Sequence, residues 1–350
     1  MSNFAFNFFQ EEDSSSSFDD VKSDQQVRPE SAKSTEESTD LQFNDACDKE
    51  SISTRVSVSF DLDIKPILDG TYFETLRGVN KIAGIKKGAN VQSDILKITS
   101  DKNSDVVTGF YEGGLKLWEC TLDLMTYLES LNVKSIFTDK MSGSPQKISR
   151  KEHGLDTDTI SVLDLGCGHG LAGIHAFLQF SSLAGKPNVK VFFQDLNRDV
   201  LKYCTAPNLF LNIDGTCSTR KNCDITNAFF EPNHFQFWSG DWLSLLDNEQ
   251  WNCEVDEQKG FDLILTADTI YAEPQIKKLA LFLNTTLAKQ NGGIALVAAK
   301  RYYFGTGGNV EDFIKEINAV SKGALICKKV AIFEDKQSNI REIIQVSRAL

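Results

Sequence analysis

The sequence predicts a doubly wound α/β sheet of seven strands, and three observations carry that prediction. From residue 160 onward, short apolar runs alternate with helical patterns, the arrangement of βαβ units around a largely parallel sheet. The run Val162-Leu163-Asp164-Leu165 passes into Gly166-Cys167-Gly168-His169-Gly170 and then into the apolar helical start Leu171-Ala172-Gly173-Ile174. A buried strand, a glycine turn and a helix therefore follow one another without a break. The last two apolar runs, 325–333 and 341–347, form a closing strand–turn–strand pair.

Taken in order, the strands fall at 160–164, 189–194, 235–238, 261–267, 294–299, 325–333 and 341–347, with helices at 171–182, 197–205, 275–289 and 309–320. Asp262 reads as a surface residue at a strand start. Residues 212–233, with Cys217, Cys223 and Pro232, read as a loop insertion. Upstream, Leu115, Trp118, Leu122, Met125 and Leu128 recur at spacings of three and four, which describes a helix with one apolar face. A polar loop spans 139–158. Three regions result: a disordered acidic tail over 1–56, an irregular extension over 57–108 and the catalytic domain over 109–350.

Charge separates the tail from the rest. Residues 1–60 hold 13 Asp/Glu against 5 Lys/Arg, which is −8 of the total −12 and leaves −4 for the other 290 residues. Ser, Asp, Glu and Gln dominate residues 10–55, and such a composition buries too little apolar surface to offset chain entropy. Phe4, Phe6, Phe8 and Phe9 punctuate the start, either as a docking motif or as a sticky end. An acidic chain is repelled by phosphate backbones, so direct nucleic-acid binding is not expected and a basic protein partner is. The eight cysteines form no C-x-x-C pair, so neither a metal site nor a disulfide framework is expected. No secretory signal and no apolar run of membrane-spanning length is visible, which places the chain in the cytoplasm and nucleus. No interface signature argues against a monomer.

The glycine turn carries the cofactor chemistry. Glycines serve where a backbone must approach a ligand or take positive φ, and open α/β sheets bind ligands beyond the carboxyl ends of their strands. Gly168-His169-Gly170-Leu171-Ala172-Gly173 also satisfies the dinucleotide pattern G-x-G-x-x-G, with Asp195 at the distance of a ribose acid. Asp164 argues otherwise. A carboxylate ahead of the glycines repels a pyrophosphate and attracts an α-ammonium group, which favours S-adenosylmethionine. Asp164, Gly166, Gly168 and Gly170 are thus cofactor candidates. Asp195, ending the run Val191-Phe192-Phe193-Gln194, would take the ribose hydroxyls, with Asn197 beside it. Gly240, Asp241 and Trp242 follow the third strand, where an acid and a ring could hold adenine. Asp268 ends the fourth strand on the reaction face. Within the loop, His169 is expected to be solvent-exposed, while His153, His175 and His234 read as structural.

Seven strands with a closing hairpin are the layout of class I, Rossmann-like methyltransferases, and specific blocks narrow the resemblance. The chain resembles the eukaryotic protein-histidine methyltransferases of the seven-β-strand class, the branch that modifies a large-subunit ribosomal protein. The blocks are Phe110-Tyr111-Glu112-Gly113-Gly114-Leu115-Lys116-Leu117-Trp118-Glu119-Cys120, the glycine motif, Gln194-Asp195-Leu196-Asn197, Pro207-Asn208, Ser239-Gly240-Asp241-Trp242, Asp268-Thr269-Ile270-Tyr271 and Lys300-x-Tyr302-Tyr303-Phe304-Gly305-x-Gly307-Gly308. Coverage is good over 110–310 and poor over 10–108. Asp268 stands where the family often has Glu, Leu196 where it often has Tyr, and Thr306 where it often has Val. The resemblance implies transfer to the τ nitrogen of a histidine, and a cofactor contact for Trp118, which otherwise reads as a core tryptophan.

A neutral imidazole is already nucleophilic near neutral pH, so the chemistry asks for alignment and for one fixed tautomer. Asp268 or a carbonyl beside it is expected to accept the hydrogen bond from the ring's other nitrogen. Tyr271 and Tyr303 join it as catalytic candidates, and Tyr302, Tyr303 and Phe304 could wall a pocket for a flat ring or pack the next helix. Two other readings stay open: a protein-lysine methyltransferase of the same superfamily, and a non-catalytic ribosome-assembly module.

Overall fold

The computed structural model describes residues 54–55, 71–76, 79–85, 106, 111–131, 159–183, 187–214, 234–289, 292–334 and 339–349. Three short strands come first: β1 (Thr54–Arg55), β2 (Thr71–Leu76) and β3 (Val79–Ile85). The seven expected strands follow as β4 (Thr159–Leu165), β5 (Asn188–Asp195), β6 (Phe235–Ser239), β7 (Leu263–Ala267), β8 (Ile294–Lys300), β9 (Leu325–Phe333) and β10 (Arg341–Arg348). Their order in the sheet is β1-β6-β5-β4-β7-β8-β10-β9. The strands β4 to β8 run parallel, and β10 is antiparallel to both β8 and β9. The switch point lies at β4, whose neighbours β5 and β7 lead to opposite edges.

Two expectations about the N-terminal region change. β2 and β3 form an antiparallel hairpin in a sheet of their own, so 57–108 is not irregular throughout. β1 pairs antiparallel with β6 through Thr54↔Ser239 and Arg55↔Trp238, although it falls within 1–56. The remainder of the acidic tail, including its Phe-rich start, lies outside the described residues, as do the loop 139–158 and His153.

Helices cover both faces of the sheet. On one lie α1 (Glu119–Ser130), α2 (Leu171–Ser181) and α3, which joins Arg198–Val200, a π-helical turn Leu201–Thr205 and Ala206–Asp214. On the other lie α4 (Trp242–Leu246), α5 (Glu249–Gln258), α6 (Glu273–Thr286) and α7 (Val310–Ser321). Two clusters make the core. Leu124, Leu128, Ile174, Phe180 and Leu209 pack with Ile160, Val162 and Phe193 on the first face, while Leu245, Trp251, Leu279, Phe282 and Phe313 pack with Leu163, Leu165 and Phe192 on the second. A parallel strand buried on both faces reads as a continuous apolar run, which is why these strands were visible in the sequence.

Local differences have physical causes. Helix α1 begins at Glu119, because residues 111–118 fold as turns and Trp118 is extended at φ −96°, ψ 148° as its N-cap. Helix α3 continues past Pro207 to Asp214, so 212–214 belong to a helix rather than a loop. Proline ends a regular helix by lacking an N–H, and here the π turn just before it, with its wider i→i+5 bonding, accommodates the break. Helices α4 and α5 were not anticipated. Each is announced by a cap: Asp241 Oδ1 accepts from Leu243 N at 2.9 Å and Asn248 Oδ1 from Trp251 N at 2.9 Å. Asp262 is buried, not exposed, and its Oδ2 accepts from Ser161 N and Oγ, each at 2.9 Å, which locks β7 to β4.

Candidate active site

The glycine turn leaves β4 through backbone that only glycine takes freely: φ is +63° at Gly166 and +51° at Gly168. A Cβ on Gly168 would stand 3.1 Å from Gly114 O, so the turn and the Gly113-Gly114 segment approach each other closely. Gly170 serves packing instead. At φ +70° it caps α2, and a Cβ there would fall 2.6 Å from Thr205 Cγ2 on α3. Thr205 Oγ1 donates to Gly168 O at 2.6 Å, and Asn208 Nδ2 donates to His169 O at 3.0 Å. The π turn aims Thr205 at the loop in this way.

Asp164 corrects the sequence reading. It is buried and does not line the cavity, and its Oδ2 accepts from Gly173 N at 2.8 Å. Asp164 therefore pins α2 to β4 and shapes the turn from behind. Burial pushes its carboxyl up to about 7, against the pull of the Gly173 bond. His169 is also buried, not solvent-exposed, and burial lowers it to about 4, so its imidazole is neutral. His175 is buried as well, and His234 Nδ1 pairs with Val189 O at 2.9 Å.

At the tip of β5, Asp195 holds the turn and faces the cavity. Its Oδ2 accepts from Gly168 N at 3.0 Å and its Oδ1 from Asn197 N at 3.0 Å. Asn197 thus takes part through its backbone and does not line the cavity. Burial raises Asp195 to about 6, with Glu112 adding to the rise against the backbone bonds. Gln194 is a strut that the site assignment from sequence omitted. Fully buried, it accepts from Gly166 N (3.2 Å) and Trp242 Nε1 (2.9 Å) and donates to Gly240 O (2.7 Å). A glutamine within the run Val191-Phe192-Phe193 was the available signal. Asp241 caps α4 and forms an ion pair with Lys278 of α6.

The Tyr-Glu-Gly-Gly-Leu-Lys block supplies the opposite wall. Tyr111 Oη accepts from Leu115 N at 2.9 Å, and Trp118 Nε1 donates to Gly113 O at 2.9 Å. The Trp118 ring lines the cavity, with Lys116 Nζ 4.7 Å and Lys300 Nζ 5.6 Å from its centroid.

The third wall comes from the end of β7. Asp268 takes φ +56°, a left-handed conformation uncommon outside glycine. Its Oδ2 accepts from Cys120 N at 3.2 Å and its Oδ1 from Tyr303 Oη at 2.7 Å. Burial raises its pKa, and Lys300 and the Tyr303 hydrogen bond oppose the rise. Tyr303 does not line the cavity. Its phenol, raised by burial and by Asp268, also accepts from Lys300 N at 3.1 Å. Tyr302 and Phe304 project outward, 45% and 88% exposed, so this aromatic trio does not wall the cavity. Tyr271 does line it, while its Oη is buried and, among the described residues, has no hydrogen-bond partner.

Together these walls enclose a cavity of about 530 Å³ at the carboxyl ends of the strands. Trp118, Gly166, Gly168, Asp195, Gly240, Asp241, Trp242, Asp268 and Tyr271 converge on it, while Asp164, Gly170, Asn197 and Tyr303 support it from outside. Glu112, Lys116, Thr269, Gln275 and Lys278 are among the other lining residues and were not assigned from sequence. Four carboxylates (Glu112, Asp195, Asp241, Asp268) face two ammonium groups (Lys116, Lys278). That excess of negative charge suits a cationic nucleoside and opposes a pyrophosphate. The residues present therefore fit S-adenosylmethionine.

The switch point at β4, the antiparallel β10 set between β8 and β9, and the acids at successive strand tips define the Rossmann-like class I methyltransferase fold. The sequence places the chain more narrowly. A histidine protein methyltransferase 1 homolog of Dictyostelium discoideum is 32% identical over 250 residues, covering 71% of this chain and 62% of that protein. The homolog of Bos taurus is 32% identical over 280 residues, with 73% and 64% covered. That of Mus musculus is 30% identical over 298 residues, with 78% and 69% covered. The chain belongs to the histidine protein methyltransferase 1 family. Its alignments span less than two thirds of the Dictyostelium and Bos relatives. No family model matches it.

Proposed function

We propose that this chain is an S-adenosylmethionine-dependent protein-histidine N-methyltransferase that modifies the τ nitrogen of a histidine in a large-subunit ribosomal protein. The observation that carries the reading is the acid-lined cavity braced by Asp195 and Gln194, in a chain of this family. The ribosomal target and the τ nitrogen rest on the sequence resemblance, and a basic substrate agrees with the net charge of −12. We read the enzyme as a monomer of cytoplasm and nucleus that binds no nucleic acid directly.

Bound adenosylmethionine supplies a methyl group on a positively charged sulfur. Asp195 would hold the ribose hydroxyls, its carboxylate kept in place by Gly168 N and Asn197 N. Asp241 and Trp242 would border the adenine, and Trp118, on the opposite wall of the cavity, would close the other side. On the substrate the nucleophile is a neutral imidazole nitrogen, so no strong base is required. What the chain must fix is the tautomer. Each Asp268 oxygen accepts one hydrogen bond, from Cys120 N or Tyr303 Oη, and keeps a further lone pair, so Asp268 at the cavity wall can take this role, with Tyr271 on the same wall as the second candidate. Tyr303 then acts as a positioning residue, its phenol and the Cys120 N–H holding the Asp268 carboxylate at the end of β7. The cavity's negative charge favours the imidazolium that forms.

The test is methylation of ribosomal proteins by the purified chain with labelled adenosylmethionine, followed by hydrolysis of the labelled band. Label recovered as τ-methylhistidine from one large-subunit protein is the expected outcome. Label in methyllysine would assign a different acceptor, and none despite tight cofactor binding would point to a binding role.

A further inference from the structure

We propose that Phe304, at the tip of the turn between β8 and α7, is a docking point for the protein substrate, taking an apolar side chain of the segment that flanks the target histidine. The inference rests on the methyltransferase reading above and goes beyond it, because Phe304 touches neither the cavity nor the core. It is 88% exposed, and Tyr302, two residues away, is 45% exposed. Two aromatic residues, Tyr302 and Phe304, are thus exposed two positions apart on one turn, and Phe304 adds little to the fold's own packing.

The support beneath that ring is rigid. Tyr303 N donates to Gly308 O at 2.8 Å, Gly307 N donates to Tyr303 O at 3.0 Å, and Tyr302 bridges Asn309. Gly308 N donates to Tyr271 O at 2.9 Å, and Gly307 bridges Ala272. A Cβ on Gly308 would lie 2.0 Å from Ile270 O, so the turn is seated directly on the β7–α6 connection. An aromatic ring presented on a preorganised turn loses little entropy on binding, which is how aromatic anchors act at protein interfaces.

The same bonds identify the occupant. The base of the turn is Tyr271, a residue of the cavity wall, and Tyr303 within the turn holds Asp268. A polypeptide whose histidine enters beside Tyr271 passes the tip, whereas a nucleoside enclosed in the cavity does not meet Phe304. Charge agrees with a basic ribosomal segment through Glu311, which opens the helix that follows the turn, while Asp312 beside it is paired with Lys315.

The experiment compares the full-length chain with Phe304→Ser and Phe304→Trp, using labelled adenosylmethionine and salt-extracted large-subunit ribosomal proteins as acceptors. Binding of S-adenosylhomocysteine is measured in parallel. In Phe304→Ser the apparent KM for the acceptor is expected to rise about tenfold, with kcat within about twofold and adenosylhomocysteine affinity unchanged. Phe304→Trp is expected to keep most of the wild-type KM. An unchanged KM in Phe304→Ser overturns the docking role and leaves the enzyme assignment standing. Loss of adenosylhomocysteine binding in that variant makes Phe304 a structural residue and also overturns it. A wild-type chain that labels no histidine overturns the assigned activity, and the docking role with it.

Discussion

Replacing Asp164 with Asn tests how the glycine turn is held. The carboxyl is buried behind the turn, receives Gly173 N–H at 2.8 Å, and is pushed by burial from 3.8 up to about 7. The folded chain therefore keeps a proton that the unfolded chain releases near pH 4. Stability from this group is fully present below that pH and is lost as pH rises to about 7. Some three pKa units at 1.36 kcal/mol each make the loss about 4 kcal/mol. Asp195, raised to about 6, adds a similar loss that ends about one pH unit earlier. Asparagine has the same shape, keeps an acceptor for Gly173 and does not titrate. Urea unfolding at fixed ionic strength, followed by tryptophan fluorescence from about pH 5 to about pH 8, gives stability at each pH. Between pH 6 and 7 the wild type should lose about 1 kcal/mol more than Asp164→Asn, which keeps the smaller remaining loss from Asp195. Adenosylhomocysteine affinity should change little, because Asp164 does not line the cavity. Equal slopes in the two proteins over that unit would refute the buried-proton account, and a collapse of cofactor affinity would restore Asp164 as a direct ligand.

Asp195→Ala removes two backbone-to-carboxylate bonds as well as the ribose acceptor. At about 1.5–3 kcal/mol for each bond to a charged group, adenosylhomocysteine should bind at least about 100-fold more weakly by calorimetry. A change of under threefold would remove Asp195 from the cofactor site. Tyr271→Phe deletes a phenol without a partner, so thermal stability should hold while kcat falls about tenfold or more. Full turnover would show that Tyr271 does not fix the substrate ring and leave that role to Asp268. Gly308→Ala forces a Cβ into the backbone of Ile270 and Tyr271 and should cost about 2–3 kcal/mol, whereas Gly305→Ala, at φ +90° but in open space, should cost about 1 kcal/mol. Comparable melting temperatures for the two variants would contradict the seating of the turn.

The amino-acid sequence by itself determined the sheet. Strands β4 to β8 are buried on both faces and have to be continuous apolar runs, and the glycine turn has to follow the first of them. Seven strands and the switch point were legible for that reason, as were the residues whose chemistry coincides with a strand tip: Asp195, Asp241, Trp242 and Asp268. Helices were legible where one apolar face repeats at helical spacing, and less so where short caps start them, as at Asp241 and Asn248. Only the tertiary structure decided where side chains point. Asp164 looked like a ligand and braces a helix; His169 looked exposed and is buried; Tyr303 looked like a pocket wall and holds Asp268 from behind. Each of these roles depends on a partner 9 to 35 residues away in the chain or on the packing around it. Local pattern reports which face of an element is apolar. It does not report which neighbouring element arrives to accept a hydrogen bond, and that arrival separates the residues facing the cavity from those that hold its walls.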